Sequence, residues 1–291
     1  MAKTPFHDRD GYIWMDGEML PWREAKTHYL THALHYGTQV FEGERAYDGN
    51  IFKSVKHSER LLNSAKIIHM PMKYTVQEIE DIKQEVMEAN GLVDCYFRAG
   101  AWRGSEQMGI DVTGSETHMA VAVWEWGSYF DPEVRAKGVS LKTSQYAKPA
   151  PHTAPTQSKC AGLYVLGTMA KYEAQQAGYT DAFMHDHEGF VAESSGANIF
   201  LIKDGTLHTP IADRFLNGLT RQTIIELADN LGLHVNQRRI KPEEVETFDE
   251  IFLTGTAAEI TPVGKIDDHL FTPGEITKKL ISAYDGRVRE Q

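Results

Sequence analysis

The sequence predicts two mixed α/β domains joined by one short connection. Three observations carry this reading. Strand-like and helix-like stretches alternate along the chain, Asp-Gly turns punctuate both halves, and Gly127-Ser128-Tyr129-Phe130-Asp131-Pro132 breaks the pattern where a first sheet would be complete. At 291 residues the chain is long for one core and short for three. The expected division is a smaller domain at 1–127, a connection at 128–137 and a larger domain at 138–291.

The first domain opens with Tyr12-Ile13-Trp14-Met15-Asp16-Gly17-Glu18-Met19, two short strands around an Asp-Gly turn, and Asp48-Gly49 marks a second turn before Ile51-Phe52. Leu61, Ala65 and Ile68 recur at helical spacing after Lys56. Thr75 with Glu78 makes a capping-box pattern ahead of Val76, Ile79, Ile82 and Val86, and Gly91 closes that helix. Two strands follow, Tyr96 to Trp102 and His118 to Trp126. In the second domain Val139 to Thr143 reads as a strand and the Pro-rich stretch from Lys148 to Pro155 as a loop. A helix from about Ala161 to Ala177 stops at Gly178. Short strands with turns at His187-Glu188-Gly189 and Asp204-Gly205 lead to a helix from Thr220 to Leu231, stopped by Gly232. Glu250 to Leu253 forms a late strand, and a final helix starts near Pro273.

Composition narrows the function. Thirty basic against 41 acidic residues give a net charge of −11, which argues against nucleic acid as a partner while leaving room for a local basic pocket that takes one small anion. Two cysteines, Cys95 and Cys160, fit a reduced interior better than a disulfide framework, and no Cys/His cluster calls for a metal. The longest clean apolar run, Met119 to Trp124, is far too short for a bilayer, and Met1 to Trp14 has no apolar signal core. A cytoplasmic protein without a membrane partner is expected.

Four segments carry chemistry. In Pro155-Thr156-Gln157-Ser158-Lys159-Cys160-Ala161-Gly162-Leu163-Tyr164 a lysine sits among small residues between a loop and a helix, where a snorkelling surface lysine is the ordinary alternative. Phe215-Leu216-Asn217-Gly218-Leu219-Thr220-Arg221 enters a helix with backbone amides available to an anion, unless Thr220 merely caps it. Thr254-Gly255-Thr256-Ala257-Ala258-Glu259 offers amides and a hydroxyl at a strand end. Val191-Ala192-Glu193-Ser194-Ser195-Gly196-Ala197-Asn198 places a carboxylate before small polar residues, where a solvated edge-strand glutamate is the bland alternative.

In this order the four segments resemble those of the fold-type IV pyridoxal-phosphate enzymes, and within them the branched-chain amino acid aminotransferases. His32-Ala33-Leu34-His35-Tyr36-Gly37 with Val40-Phe41-Glu42-Gly43, and Thr254 through Ile260-Thr261-Pro262, extend the likeness from Trp14 to Pro262. The resemblance implies a two-domain fold like that of D-amino acid aminotransferase, with pyridoxal 5'-phosphate as cofactor. It implies that Lys159 forms the Schiff base, that Glu193 pairs with the pyridine nitrogen so that the ring serves as an electron sink, and that Tyr164 bonds the 3′ oxygen. Arg60, Gly218, Leu219, Thr220 and Thr256 would hold the phosphate. Tyr36, Phe41, Gly43, Tyr96, Arg98, Trp126, Ala257 and Ala258 would line the substrate pocket, with Arg98 pairing the second carboxylate of glutamate.

The implied reaction moves the amine of L-leucine, L-isoleucine or L-valine to 2-oxoglutarate by a ping-pong route, giving 2-oxo acids and L-glutamate. The rivals are a D-amino acid or (R)-amine transaminase, or an aminodeoxychorismate lyase. The resemblance also implies a homodimer at least, with the pocket closed by a loop of the neighbouring subunit. Leu163 and Asn217 depart from the family pattern, as does Glu44, which stands at a usually aliphatic position. A carboxylate there would repel glutamate if it faced the pocket, and would be harmless if strand alternation turned it onto a basic neighbour.

Overall fold

A computed structural model describes residues 4–126 and 137–290; the expected connection at 128–137 lies, except for Lys137, outside the described residues. The chain divides into two compact units, Met1–Gly127 with Ser158–Gly162, and Ser128–Gln157 with Leu163–Gln291.

The first unit is a seven-stranded antiparallel sheet in the order β2-β1-β7-β6-β4-β5, with β3 also on β6. The strands are β1 (Tyr12–Met15), β2 (Glu18–Pro21), β3 (Gln39–Phe41), β4 (Glu44–Tyr47), β5 (Asn50–Ile51), β6 (Cys95–Arg103) and β7 (Thr117–Trp124). Both Asp-Gly turns form as the sequence requires: Asp16 and Gly17 have φ of 50° and 99°, and Asp48 and Gly49 have 51° and 83°. Successive positive φ values give the turn a twist that matches the flanking strands. Along β7 burial alternates, so Met119, Val121 and Val123 face the core.

Helices α2 (Ser54–Ile67) and α3 (Val76–Ala89) cover that sheet through Leu61, Ala65, Ile79, Ile82 and Val86. The capping box at Thr75 and Glu78 is complete, each side chain bonded to the other's backbone amide. The sequence reading missed the five-residue helix α1 (His32–Tyr36) and the strands β3 and β4. Segments of three to five residues show too little periodicity to be recognised.

The second unit is a nine-stranded mixed sheet in the order β10-β9-β8-β15-β14-β11-β12-β13, with β16 on β15. Its strands are β8 (Val139–Thr143), β9 (Asp181–His185), β10 (Val191–Ser194), β11 (Asn198–Lys203), β12 (Thr206–Thr209), β13 (Val235–Gln237), β14 (Glu250–Gly255), β15 (Glu259–Ile266) and β16 (His269–Leu270). Helices α4 (Tyr164–Gln176), α5 (Leu219–Asn230) and α6 (Glu275–Arg287) complete it. Gly178 and Gly232 take φ of 82° and 69° just past α4 and α5, the left-handed stop expected of them. The expected helix at Ala161 begins instead as a 3₁₀ turn, Ala161–Leu163. Strand β15 escaped the sequence reading because Pro262 and Gly264 lie inside it, two residues that ordinarily argue against a strand interior. Among the described residues no helix is long and apolar enough to cross a membrane.

Candidate functional site

The segment Ser158–Gly162, which the sequence assigns to the larger domain, groups with the first unit, and hydrogen bonds show why. Ser158 Oγ donates to the Ser64 carbonyl (2.9 Å), the Lys159 amide donates to Ser64 Oγ (3.0 Å), and the Lys159 carbonyl accepts from the Phe41 amide (3.2 Å). Cys160 pairs as a β-bridge with Val40, while its thiol donates to the Gly37 carbonyl (3.4 Å) and is pushed up in pKa by burial. Cys160 is therefore a packing residue, and a thiol held protonated there is a poor nucleophile. Lys159 is thus clamped by its backbone between β3 and α2, which a surface lysine at a helix start has no reason to be.

Its side chain reaches Phe41, with Nζ 5.0 Å from the ring centroid. The Arg98 guanidinium lies over the same ring at 4.8 Å, and its Nη2 is 3.4 Å from the Tyr96 hydroxyl. Tyr96 packs against Trp124 and Trp126, each with ring centroids 5.1 Å away. Gly43 makes room for this arrangement, because a Cβ there would stand 2.1 Å from the Tyr96 hydroxyl. The first unit therefore joins Lys159, Phe41, Gly43, Tyr96, Arg98 and Trp126 in one aromatic cluster edged by two cations. Among the described ring contacts Tyr36 makes none with this cluster: its ring lies tilted against His32, centroids 4.5 Å apart, and the residue is 42% exposed.

Arg60 lies one helical turn before Ser64 on α2. Its Nε and Nη2 both bond Glu42, at 2.7 Å each, and Nη1 takes no part in that pairing. Glu42 also accepts from His57 Nδ1 at 2.7 Å. Burial pushes this carboxyl's pKa up, but Arg60 and His57 overcome it and hold the group far below the usual carboxylate range. Glu44 points elsewhere, into the helical layer. Its Oε2 meets Lys83 Nζ at 2.6 Å, both side chains are fully buried, and Lys83 also reaches Glu80 at 3.0 Å. Strand alternation has turned Glu44 onto a basic neighbour, so it presents no charge to the Phe41 cluster.

In the second unit Glu193 is 7% exposed, not the solvated edge glutamate that the sequence left open. Lys148 Nζ holds its Oε1 at 2.7 Å and Asn198 Nδ2 donates to its Oε2 at 2.8 Å. Helix α4 brings Tyr164 at its first position, and it lies tight against the loop after Glu193, since a Cβ on Gly167 would come 2.3 Å from the Ser195 carbonyl oxygen.

Helix α5 begins at Leu219 with Gly218 as its N-cap, and no side chain caps it; Thr220 sits inside the first turn rather than before it. Leu219, Thr220 and Arg221 are all buried there. Arg221 is 1% exposed, and its described partners are neutral: Thr209 Oγ1, Asn217 Oδ1, the Pro210 carbonyl and Gln237 Oε1. Burial lowers its pKa to about 10. A buried cation at the positive end of a helix, with uncapped amides beside it, is an environment suited to an anion. In the same unit, β14 ends at Gly255 and Thr256, Ala257 and Ala258 turn into β15, half-buried, while the Thr254 hydroxyl is buried with no described partner. These residues fit a phosphate group, and among the described residues no cluster of His, Cys, Asp and Glu is arranged for a metal ion.

Sequence reasoning missed Glu42, Ser64, Lys148, Asn198 and Arg221. Glu42 was within the quoted motif, and Ser64 is four positions after Arg60, where helix geometry puts both on one face. Asn198 and Arg221 close two of the four segments that carry chemistry, and Lys148 carries no local signal.

Residues 39–266 match the model of the amino-transferase class IV family. A branched-chain-amino-acid aminotransferase of Pseudomonas aeruginosa is 42% identical over 284 residues, 95% of this chain and 92% of that one. The crystal structure of a branched-chain aminotransferase from Thermoproteus uzoniensis with norvaline superposes with a TM-score of 0.92 at 37% identity, over 96% of this chain and 95% of that one. The branched-chain amino acid aminotransferase from Thermobaculum terrenum, in its PLP-bound holo form, gives 0.88 at 32% identity, over 96% of this chain and 94% of that one.

Proposed function

This chain belongs to the class IV aminotransferases, and from that premise we propose that it transfers the amine of L-leucine, L-isoleucine or L-valine to 2-oxoglutarate with pyridoxal 5'-phosphate as cofactor. When bound, the cofactor supplies an aldehyde that takes up the amine and a protonated ring that accepts the electron pair released when the α-carbon loses its proton. Lys159 Nζ anchors the cofactor and moves the proton at the substrate α-carbon. Glu193, steadied by Lys148 and Asn198, keeps the ring nitrogen protonated. The Tyr164 hydroxyl donates to the 3′ oxygen. Arg60, the amides of Gly218, Leu219 and Thr220, and the Thr256 hydroxyl hold the phosphate.

The observation that carries the substrate assignment is the ring of Phe41, with Lys159 and Arg98 both over it. Such a wall packs an aliphatic side chain, and the same guanidinium pairs with the second carboxylate of glutamate, so both substrates of the two half-reactions are served. Tyr96 and the amides of Thr256 and Ala257 take the α-carboxylate, and Tyr36, Gly43, Trp126 and Ala258 shape the rest of the pocket.

The assembly is a homodimer at least, and the enzyme acts in the cytoplasm on small metabolites. Tyr29, Leu34 and Ile110 are 76%, 64% and 84% exposed, and His32 Nε2 contacts the Gly109 carbonyl at 2.8 Å, which ties the 108–110 segment to α1; exposed apolar residues of this kind are what subunit contacts cover.

The test is spectroscopic. Purified holoenzyme is mixed in turn with L-leucine, L-glutamate, D-alanine and (R)-1-phenylethylamine, following conversion of the pyridoxal absorbance to that of the pyridoxamine form. L-Leucine and L-glutamate convert it and the other two do not. Conversion by D-alanine or the (R)-amine alone overturns the substrate assignment. Lys159→Ala lowers turnover by at least about a thousandfold, and a variant that retained wild-type rates would sink the mechanism.

A further inference from the structure

Asn198 holds a place that the transamination reading uses only at one end, where it steadies Glu193. It is 5% exposed at the start of β11, and its backbone is fixed on both sides, paired with Glu193 of β10 and with Thr254 of β14. Its carboxamide makes three bonds. Nδ2 donates to Glu193 Oε2 at 2.8 Å and to the Leu216 carbonyl at 3.1 Å, and Oδ1 accepts the Gly218 amide at 3.1 Å. The fit is close, because a Cβ on Gly218 would come 2.3 Å from Oδ1.

One rigid side chain therefore grips a carboxylate with one atom and the turn that opens α5 with both. We propose that Asn198 is a positioning residue that couples the two ends of the cofactor site, setting the Glu193 carboxylate toward the ring nitrogen and the Gly218 turn toward the phosphate as a single unit. The inference rests on the assignments of Glu193 and of Gly218 to Thr220 made above. Only a carboxamide of this length performs both tasks. Aspartate keeps an acceptor for the Gly218 amide but loses both donors, alanine loses everything, and glutamine adds a methylene where there is no room.

The experiment compares apoenzyme binding of pyridoxal 5'-phosphate with that of pyridoxal, which lacks the phosphate, and titrates the absorbance of the bound cofactor with pH. In Asn198→Ala, affinity for the phosphorylated form falls at least tenfold, the ratio of the two affinities narrows at least threefold, and the pH midpoint of the absorbance moves. In Asn198→Asp, the ratio returns toward the wild-type value because the Gly218 acceptor is back, while the midpoint stays displaced because Glu193 has lost its donor. If the alanine variant does not fold, the aspartate variant and Asn198→Ser carry the same comparison.

A fall in melting temperature with ratio and midpoint both unchanged overturns the proposal and leaves Asn198 as an ordinary structural residue. Equal ratios in the alanine and aspartate variants overturn it as well. Glu193→Gln separates the two levels: an unchanged midpoint there overturns the underlying assignment of Glu193, whereas a moved midpoint there with an unmoved one in Asn198→Ala overturns the coupling alone.

Discussion

In the first unit Glu42 meets Arg60 and His57, and Glu44 meets Lys83; in the second, Glu193 meets Lys148, but among the described residues Arg221 meets only neutral oxygens. Both units bury charge, and they differ in what surrounds the cation that no described carboxylate meets: Arg103 of the first unit, 3% exposed, bonds Ser115 Oγ and the Ile68 and His69 carbonyls at the negative end of α2, whereas Arg221 lies at the positive end of its helix. Balanced pairs such as Glu44 and Lys83 are architecture, because each charge exists to satisfy the other. Arg221 is a different case. A guanidinium held in neutral surroundings at the positive end of α5 is costly, and the arrangement is favourable once an anion shares the site. The contrast supports the proposal that the whole first turn of α5, rather than one side chain, binds the anion.

Breaking the balanced pair gives the largest effect. Glu44→Ile leaves Lys83 buried with only Glu80 and Ser54 as partners, and should destabilise the protein by about 3–5 kcal/mol in chemical denaturation. Adding Lys83→Met to that variant should recover most or all of the loss, since buried pairs replaced by apolar residues of similar volume are often neutral. Neither variant should alter the preference between L-leucine and L-glutamate, because Glu44 faces α3. A double variant as unstable as the single one, or a shifted preference, would refute the reading of Glu44 as architecture.

The unbalanced cation should behave otherwise. Arg221→Met should weaken binding of pyridoxal 5'-phosphate by about tenfold, near 1.4 kcal/mol, with a smaller loss in apoenzyme stability than Glu44→Ile causes. Its bonds to Asn217 and Gln237 are lost, but so is the desolvation cost of the charge. Equilibrium titration of the apoenzyme measures the first quantity and urea denaturation the second. If cofactor affinity held while stability fell by several kcal/mol, Arg221 would belong with the structural pairs and the contrast between the units would collapse.

What could be read in the sequence follows the reach of each interaction. The Asp16-Gly17 and Asp48-Gly49 turns, the Thr75 and Glu78 box and the glycine stops at Gly178 and Gly232 are decided within a few residues, and all were legible. Lys159, Glu193 and the Gly218 turn were legible only as a constellation matched to a family, because each alone had an ordinary explanation. The grip on Lys159 was not legible, since Ser64 lies 95 positions away; nor was the partner of Glu44, 39 positions away across two elements. Strand alternation offered both directions for Glu44, and only the placement of α3 chose between them. Asn198 shows the same limit at shorter range. Its neighbours Glu193 and Gly218 were each singled out, yet nothing local says that one carboxamide spans them.

The smallest effect belongs to a cluster at the rim of the first unit, where balance depends on pH. His118 sits between Asp16 and Glu106, its Nδ1 on Asp16 Oδ2 and its Nε2 3.0 Å from Glu106 Oε1. Burial alone would lower its pKa, but the two carboxylates outweigh it and the folded value is raised. A raised folded pKa means that the charged imidazole contributes stability fully below the unfolded value, about 6.5, and that this contribution fades as pH climbs through the folded value. Glu106 sets the other limit. Burial raises its pKa, but the backbone amides of Glu106 and Glu116 together with His118 bring it to about 2, so its share is lost only in strong acid. His118→Asn should therefore lower the melting temperature most at about pH 5–6, with the deficit closing as pH rises past the folded value. The size should stay below about 1 kcal/mol, because the imidazole keeps 28% of its surface in solvent and salt screens such pairs. A deficit that did not change with pH would mean that His118 acts by stacking on Trp102, 5.9 Å away, rather than by charge. In that event Asp16 would support the β1–β7 ladder through the bond it accepts from the Met119 amide rather than through His118.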